Sequence, residues 1–233
     1  MTVRSVIIGG DGVKPKDTFN KIDEAKRERL LREASSLFAE RGLMQTDMAE
    51  LASRAGVAKG SLYNYFASKE DFYEYVCRDG LERSRQAVYG ELDPDWDIYR
   101  QVAHIFRAGL KFALQYPQYI ALYLNVASAG MGEFADRMSH EVESFTAQHL
   151  KKLLRKGIKE GTVRPDLDVN LAAFLINTLY IMFLASVASR HFQIRMKLYL
   201  EIKGKLTARN LEHHLTKTIE QIHTVLRPAP PAA

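Results

Sequence analysis

Cysteine is almost missing from this chain: Cys77 is the only one in 233 residues. That excludes an internal disulfide framework and a cysteine-based zinc site, and it fits a reducing, cytoplasmic setting. Glycine-rich phosphate loops after a strand, nucleophile elbows and convincing pairs of catalytic carboxylates are missing too, so nothing points to an enzyme or to a cofactor. Sustained period-two alternation is absent, which argues against a sheet. Long apolar runs reduce to one, LAAFLINTLYIMFLASVA at 171–188. Its length approaches the roughly 20 residues of a membrane span. Asn177, Thr178 and Ser186 interrupt it, however, and no second span accompanies it. A helix apolar all round also suits a buried core or a subunit interface, and the protein is read as soluble. Near the start, Val6-Ile7-Ile8 is too short for the core of a signal peptide.

Acidic residues are outnumbered, giving a net charge of +5 and a pI near 9.2. Residues 1–80 nevertheless hold 13 Lys+Arg and 13 Asp+Glu. The excess therefore lies in residues 81–233, and bulk charge does not mark a nucleic-acid-binding end. The cluster Lys151, Lys152, Arg155, Lys156 and Lys159, like the basic stretch from Arg195 to Arg209, reads as a solvated face. His213 and His214 are adjacent on a helix, point in different directions and have no partner set, so they are not read as a metal site.

What the chain does have is helical periodicity almost throughout, predicting an all-α protein of about nine helices. The first runs from about Lys21 to Arg41 and stops at Gly42. Asp47 and Glu50 have capping-box spacing and open a short second helix that ends at Gly56. A third, equally short, covers about Ala58 to Phe66. Ser68 with Asp71 caps a fourth, reaching about Leu92. Longer helices follow at about 95–115, 117–129, 130–160, 169–189 and 207–227. Residues 1–19 read as a loose arm and RPAPPAA as a disordered tail.

Two short helices joined by a tight turn at Gly56-Val57 have the outline of a helix-turn-helix. With Leu51, Ala52, Val57, Leu62 and Phe66 turned inward, the outward residues of the third helix are Lys59, Gly60, Ser61, Tyr63, Asn64 and Tyr65. Gly60 allows close backbone approach to a phosphate, while Ser61 and Asn64 can read base edges. Tyr63 and Tyr65 can reach phosphates, and Lys59 and Lys69 supply backbone charge. For Tyr65 a second placement is open, partly against the fourth helix.

The run AGVAKGSLYNYFASKEDF, preceded by ERLLREASSLFAERG, resembles the DNA-binding domain of the TetR/AcrR family across about residues 22–75. That resemblance implies an all-helical homodimeric repressor released from a pseudo-palindromic operator by a small molecule. It assigns DNA contacts to Lys59, Gly60, Ser61, Tyr63, Asn64, Tyr65 and Lys69. It divides the chain into an arm (1–19), a DNA-binding domain (20–67), a sensing and dimerisation domain (68–227) and a tail (228–233). Asp47 departs from the pattern, because many members carry Ser or Thr there. The resemblance also makes a ligand pocket expected, with an apolar or aromatic effector. His104, Tyr119, Tyr123, Asn125, Phe134, Asn177 and Tyr180 are its candidate lining.

Leu171, Leu175, Leu179 and Met182 form one apolar stripe, and Leu215, Ile219, Ile222 and Leu226 another. Two such helices per subunit would build a four-helix dimer interface. An intramolecular seam is the alternative. The competing function is a nucleoid-associated or scaffold protein that binds DNA without ligand control.

Overall fold

A computed structural model describes residues 13–128 and 132–228. The sequence expectations for residues 1–12, for the opening Gly130 and Met131 of the seventh helix and for 229–233 lie outside them. Eleven helices and no strand occur among the described residues: α1 (Asp17–Asn20), α2 (Glu24–Gln45), α3 (Met48–Ala55), α4 (Lys59–Tyr65), α5 (Lys69–Tyr89), α6 (Ile98–Gln115), α7 (Pro117–Ser128), α8 (Gly132–Lys159), α9 (Val169–Ala188), α10 (Arg190–Tyr199) and α11 (Ala208–Leu226).

The boundaries follow local chemistry. Asp23, Asp47, Ser68, Asp97 and Asp168 each accept a first-turn amide, supplying an acceptor to helix donors that have no internal partner. Thr207 and Asn210 cap α11 reciprocally. The expected reciprocal box at α3 is only half made. Asp47 accepts from the Ala49 amide at 2.6 Å, but Glu50 turns away to pair with Arg41 and Arg54. Gly42 breaks α2 (φ 69°, ψ 178°), and the chain makes one more turn before Thr46. The two helices beyond the expected nine are α1 and α10. The latter holds the start of the basic stretch that reads as a solvated face.

An aromatic-rich core joins α2, α3, α4 and the start of α5 through Leu30, Leu37, Phe38, Leu51, Leu62, Phe66 and Phe72, all essentially without exposure. Helix α5 runs out of this head into the larger bundle of α6–α9 and α11, and α7 packs along α2. Residues 13–19 differ from the loose arm expected of them: Phe19 is fully buried against Tyr65, Phe66 and Tyr75.

The two apolar stripes part company. Leu215, Ile219, Ile222 and Leu226 are buried within the protomer, where α11 lies on α6. Their stripe is the intramolecular seam, which corrects their assignment to a dimer interface. On α9, Ala172, Ala173, Ile176, Phe183 and Leu184 face the core, while Leu171, Phe174, Leu175 and Leu179 stand 45–67% exposed. Met182 is half-buried. Among the described residues α9 is the one helix long and apolar enough to cross a membrane (mean hydropathy 2.0). Its composition reflects two apolar faces, one packed inside the protomer and one turned out.

Candidate nucleic-acid interface and ligand cavity

The turn between α3 and α4 is made by Gly56 in the left-handed region (φ 67°, ψ 39°), a conformation costly for residues with a Cβ. Its amide donates back to the last turn of α3, and Arg29 Nε donates to the Ala55 carbonyl at 2.9 Å. Leu62 and Phe66 anchor α4 inward. Lys59, Gly60, Tyr63 and Asn64 are consequently exposed, with Ser61 half-buried beside them. A Cβ at Gly60 would meet nothing of the protein within 4 Å. The space in front of the helix start is therefore open to an outside molecule.

Two of the residues assigned to DNA sit elsewhere. Tyr65 is only 6% exposed, its ring edge-on to Phe19, so it belongs to the core of the head rather than to its outer face. Lys69 Nζ donates to the carbonyls of Met44 (3.2 Å) and Thr46 (3.3 Å) and so braces the link between α2 and α3. Asp47 caps α3, and the Ala49 amide holds its carboxyl below the usual carboxylate range. A charged carboxylate thus stands at the start of α3, where a phosphate would be repelled.

A cavity of about 440 Å³ lies between α5, α7, α8 and α9, closed on one side by Phe112 of α6. Of the seven residues named as candidate pocket lining, Tyr119, Tyr123, Asn177 and Tyr180 line this cavity. The other three candidates do not. His104 stacks edge-on with Trp96, Asn125 donates to the Ala39 carbonyl of α2 at 3.2 Å, and Phe134 packs against Tyr73. The wall that sequence reasoning missed is α5, which contributes Arg78, Arg85, Val88 and Tyr89. Gly80 was the available signal, because a glycine inside a helix marks a close approach, here of Tyr119.

The charged groups in the cavity wall pair with one another or with near neighbours. Arg78 donates to Glu74 (3.0 Å) and Glu141 (3.1 Å), and Arg85 pairs with Glu82 at 2.6 Å. Glu143 accepts from Tyr123 Oη (2.8 Å) and Asn177 Nδ2 (3.0 Å). Burial pushes the phenols of Tyr123 and Tyr180 upward, and it pushes the Cys77 thiol up to about 12. All three are neutral at physiological pH, and the thiol is unreactive. No group of three or more His, Cys, Asp or Glu side chains able to hold a metal occurs among the described residues.

A connected set of polar contacts leads from the cavity to α2, the helix on which α3 packs. Tyr119 Oη donates to Asp79 at 2.9 Å. Arg83 joins Asp79 (2.7 Å) to Glu28 of α2 (2.6 Å).

Residues 30–76 match the family model described as bacterial regulatory proteins, tetR family. The HTH-type transcriptional repressor KstR2 of Rhodococcus jostii is 32% identical over 181 residues, spanning 71% of this chain and 80% of that protein. The chain belongs to the TetR family. Solved TetR-like structures agree in fold. KstR2 of Mycobacterium tuberculosis, described as a ketosteroid transcriptional regulator, superposes with TM-score 0.66 at 22% identity, covering 89% of this chain and 97% of that one. AibR, solved with isovaleryl coenzyme A and operator DNA, gives 0.66 at 17% identity over 84% and 97%. This TetR-family member is a DNA-binding transcriptional regulator rather than an enzyme, and α3–α4 is its helix-turn-helix.

Proposed function

We propose that the protein is a cytoplasmic, homodimeric repressor that reads a pseudo-palindromic operator with α4 and is released by an uncharged apolar or aromatic effector. The observation carrying this reading is the pairing, within one protomer, of an outward Lys59–Asn64 face with an apolar-walled cavity coupled to α2. On the duplex, Lys59 and Tyr63 take phosphates, and Ser61 and Asn64 take base edges. The second protomer packs on the exposed face of α9, through Leu171, Phe174, Leu175 and Leu179. A two-fold dimer can set its two reading helices about 34–36 Å apart, one turn of DNA.

The cavity lies in the usual volume range for small-molecule sites. Among the described residues of the wall, both cations are paired with glutamates, Arg78 with two and Arg85 with one, which disfavours a polyphosphate. Ligand binding acts on DNA by displacing Tyr119 and α7, which moves α2 through Arg83–Glu28 and through Asn125. This requires the effector to favour one spacing of the reading heads over the other.

The test uses a duplex selected by the protein from a random library and follows its release by fluorescence anisotropy. A panel of uncharged aromatic and alicyclic compounds is run beside coenzyme A thioesters. Release by the uncharged panel is expected. Release by thioesters alone would overturn the ligand class, and no release by either would favour the scaffold reading.

A further inference from the structure

We propose that residues 16–19 are a built-in brace for the reading helix, and that Lys16 and Thr18 are positioning residues for operator binding. The proposal rests on α4 being the helix that reads DNA.

Helix α4 has every reason to be weak alone. It is seven residues long, contains Gly60, and starts at Ala58 with no side-chain cap. Helices this short are far below the length that is stable in water without tertiary support. At its end, the Leu62 carbonyl is taken by the Phe66 amide, leaving the carbonyls of Tyr63, Asn64 and Tyr65 without a partner inside the helix. The N-terminal segment receives all three. Lys16 Nζ donates to the Tyr63 carbonyl at 2.8 Å, Thr18 Oγ1 to the Asn64 carbonyl, and the Lys16 amide to the Tyr65 carbonyl at 2.8 Å.

Phe19 fixes the segment in place. Its ring is fully buried between Tyr65, Phe66 and Tyr75, at centroid distances of 5.8, 5.0 and 5.4 Å. The Arg27 guanidinium lies over it, 5.5 Å from the centroid. A cation at the negative end of a helix is favourable as well, which adds to the role of Lys16.

The residues whose carbonyls are held, Tyr63 and Asn64, are the ones whose side chains point outward to the duplex. Their side-chain directions depend on the last turn of α4 staying helical. Without the brace that turn frays, and the DNA must reorder it on binding, which lowers affinity.

The test compares operator affinity, measured on the selected duplex at fixed salt, for four variants. Lys16→Pro removes the amide donor and the ammonium together, at a residue whose φ of −67° already suits proline. Thr18→Val removes the hydroxyl at nearly constant shape, Thr18→Ser keeps it, and Asn64→Ala is the reading-helix control. A hydrogen bond contributes a net factor of roughly 2–10. Thr18→Val is therefore expected to bind about threefold weaker, Thr18→Ser within about twofold of the parent, and Lys16→Pro about tenfold weaker or more. Dimerisation should be unchanged throughout.

Full affinity in Lys16→Pro and Thr18→Val, with Asn64→Ala weakened, would overturn the brace. So would failure of serine at position 18 to restore binding, or loss of affinity only together with loss of the dimer. An unaffected Asn64→Ala would instead remove α4 as the reading helix.

Discussion

Replacing Gly80 with alanine asks whether the junction between cavity and DNA-binding head is as tight as the geometry implies. A Cβ there would stand 2.8 Å from Cε1 and 2.9 Å from Cγ of Tyr119, and closer still to Cδ1. The obstacle is the body of the ring rather than a mobile tip. Tyr119 is 7% exposed, lies against Phe112 and Tyr116, and is tethered by its hydroxyl to Asp79. It cannot step aside without losing that bond. Alanine gains about 1 kcal/mol over glycine in a helix interior. Overpacking costs about 1–3 kcal/mol, and a lost hydrogen bond to a carboxylate about 1.5 kcal/mol.

The net is destabilisation of about 2 kcal/mol. For a domain of this size that lowers the melting temperature by about 4–8 °C at fixed protein concentration. Thermal melting followed by circular dichroism in the helical band reads it directly. An unchanged or higher melting temperature would refute the reasoning, because it would mean that Tyr119 yields freely and that the helix-propensity gain prevails.

Other consequences are separable. Leu179→Lys on the outer face of α9 should shift the proposed dimer towards monomer by about 100-fold or more, read by sedimentation, with helix content retained. Ile222→Ala should do the opposite: it leaves the dimer intact and removes about 2–4 kcal/mol from folding, since that side chain is 5% exposed inside the protomer. Burial holds His149 below its ordinary value of 6.5, with Lys152 adding repulsion, and His214 and His223 are shifted the same way. The unfolded chain therefore takes up these protons first. Stability should be complete above about pH 6.5 and decline as pH falls below it. His149→Phe keeps the ring contacts with Tyr89 and Phe145 and removes a buried Nε2 that has no partner. It should flatten the pH dependence of melting between about pH 5 and 6.5.

How much of this was readable from the chain depended on how local the deciding physics was. The α3–α4 unit rests on the Asp47 cap and the left-handed Gly56, signals set within four residues, and Lys59, Gly60, Tyr63 and Asn64, read as outward, are exposed. Tyr65 was not, because what buries it is Phe19, 46 residues earlier and in a segment with little helical pattern. The stripe on α11 announced a buried face, yet periodicity does not say whether the covering helix belongs to the same chain or to a partner. Here α6 covers it. In the cavity, aromatic and amide residues were named by type, and type does not fix direction. Asn125 turned to the Ala39 carbonyl and His104 to Trp96, while Arg78 and Arg85, not among those candidates, stand in the wall.

The most direct test of the central claim, a dimer that reads sequence through α4, is selection of binding sites by the purified protein from a random duplex library. Enrichment of two inverted half-sites centred about one helical turn apart, with affinity falling steeply as salt rises, is the predicted result. It should be lost in Asn64→Ala. Weak, sequence-indifferent binding to all duplexes would contradict the claim and favour a scaffold role on DNA.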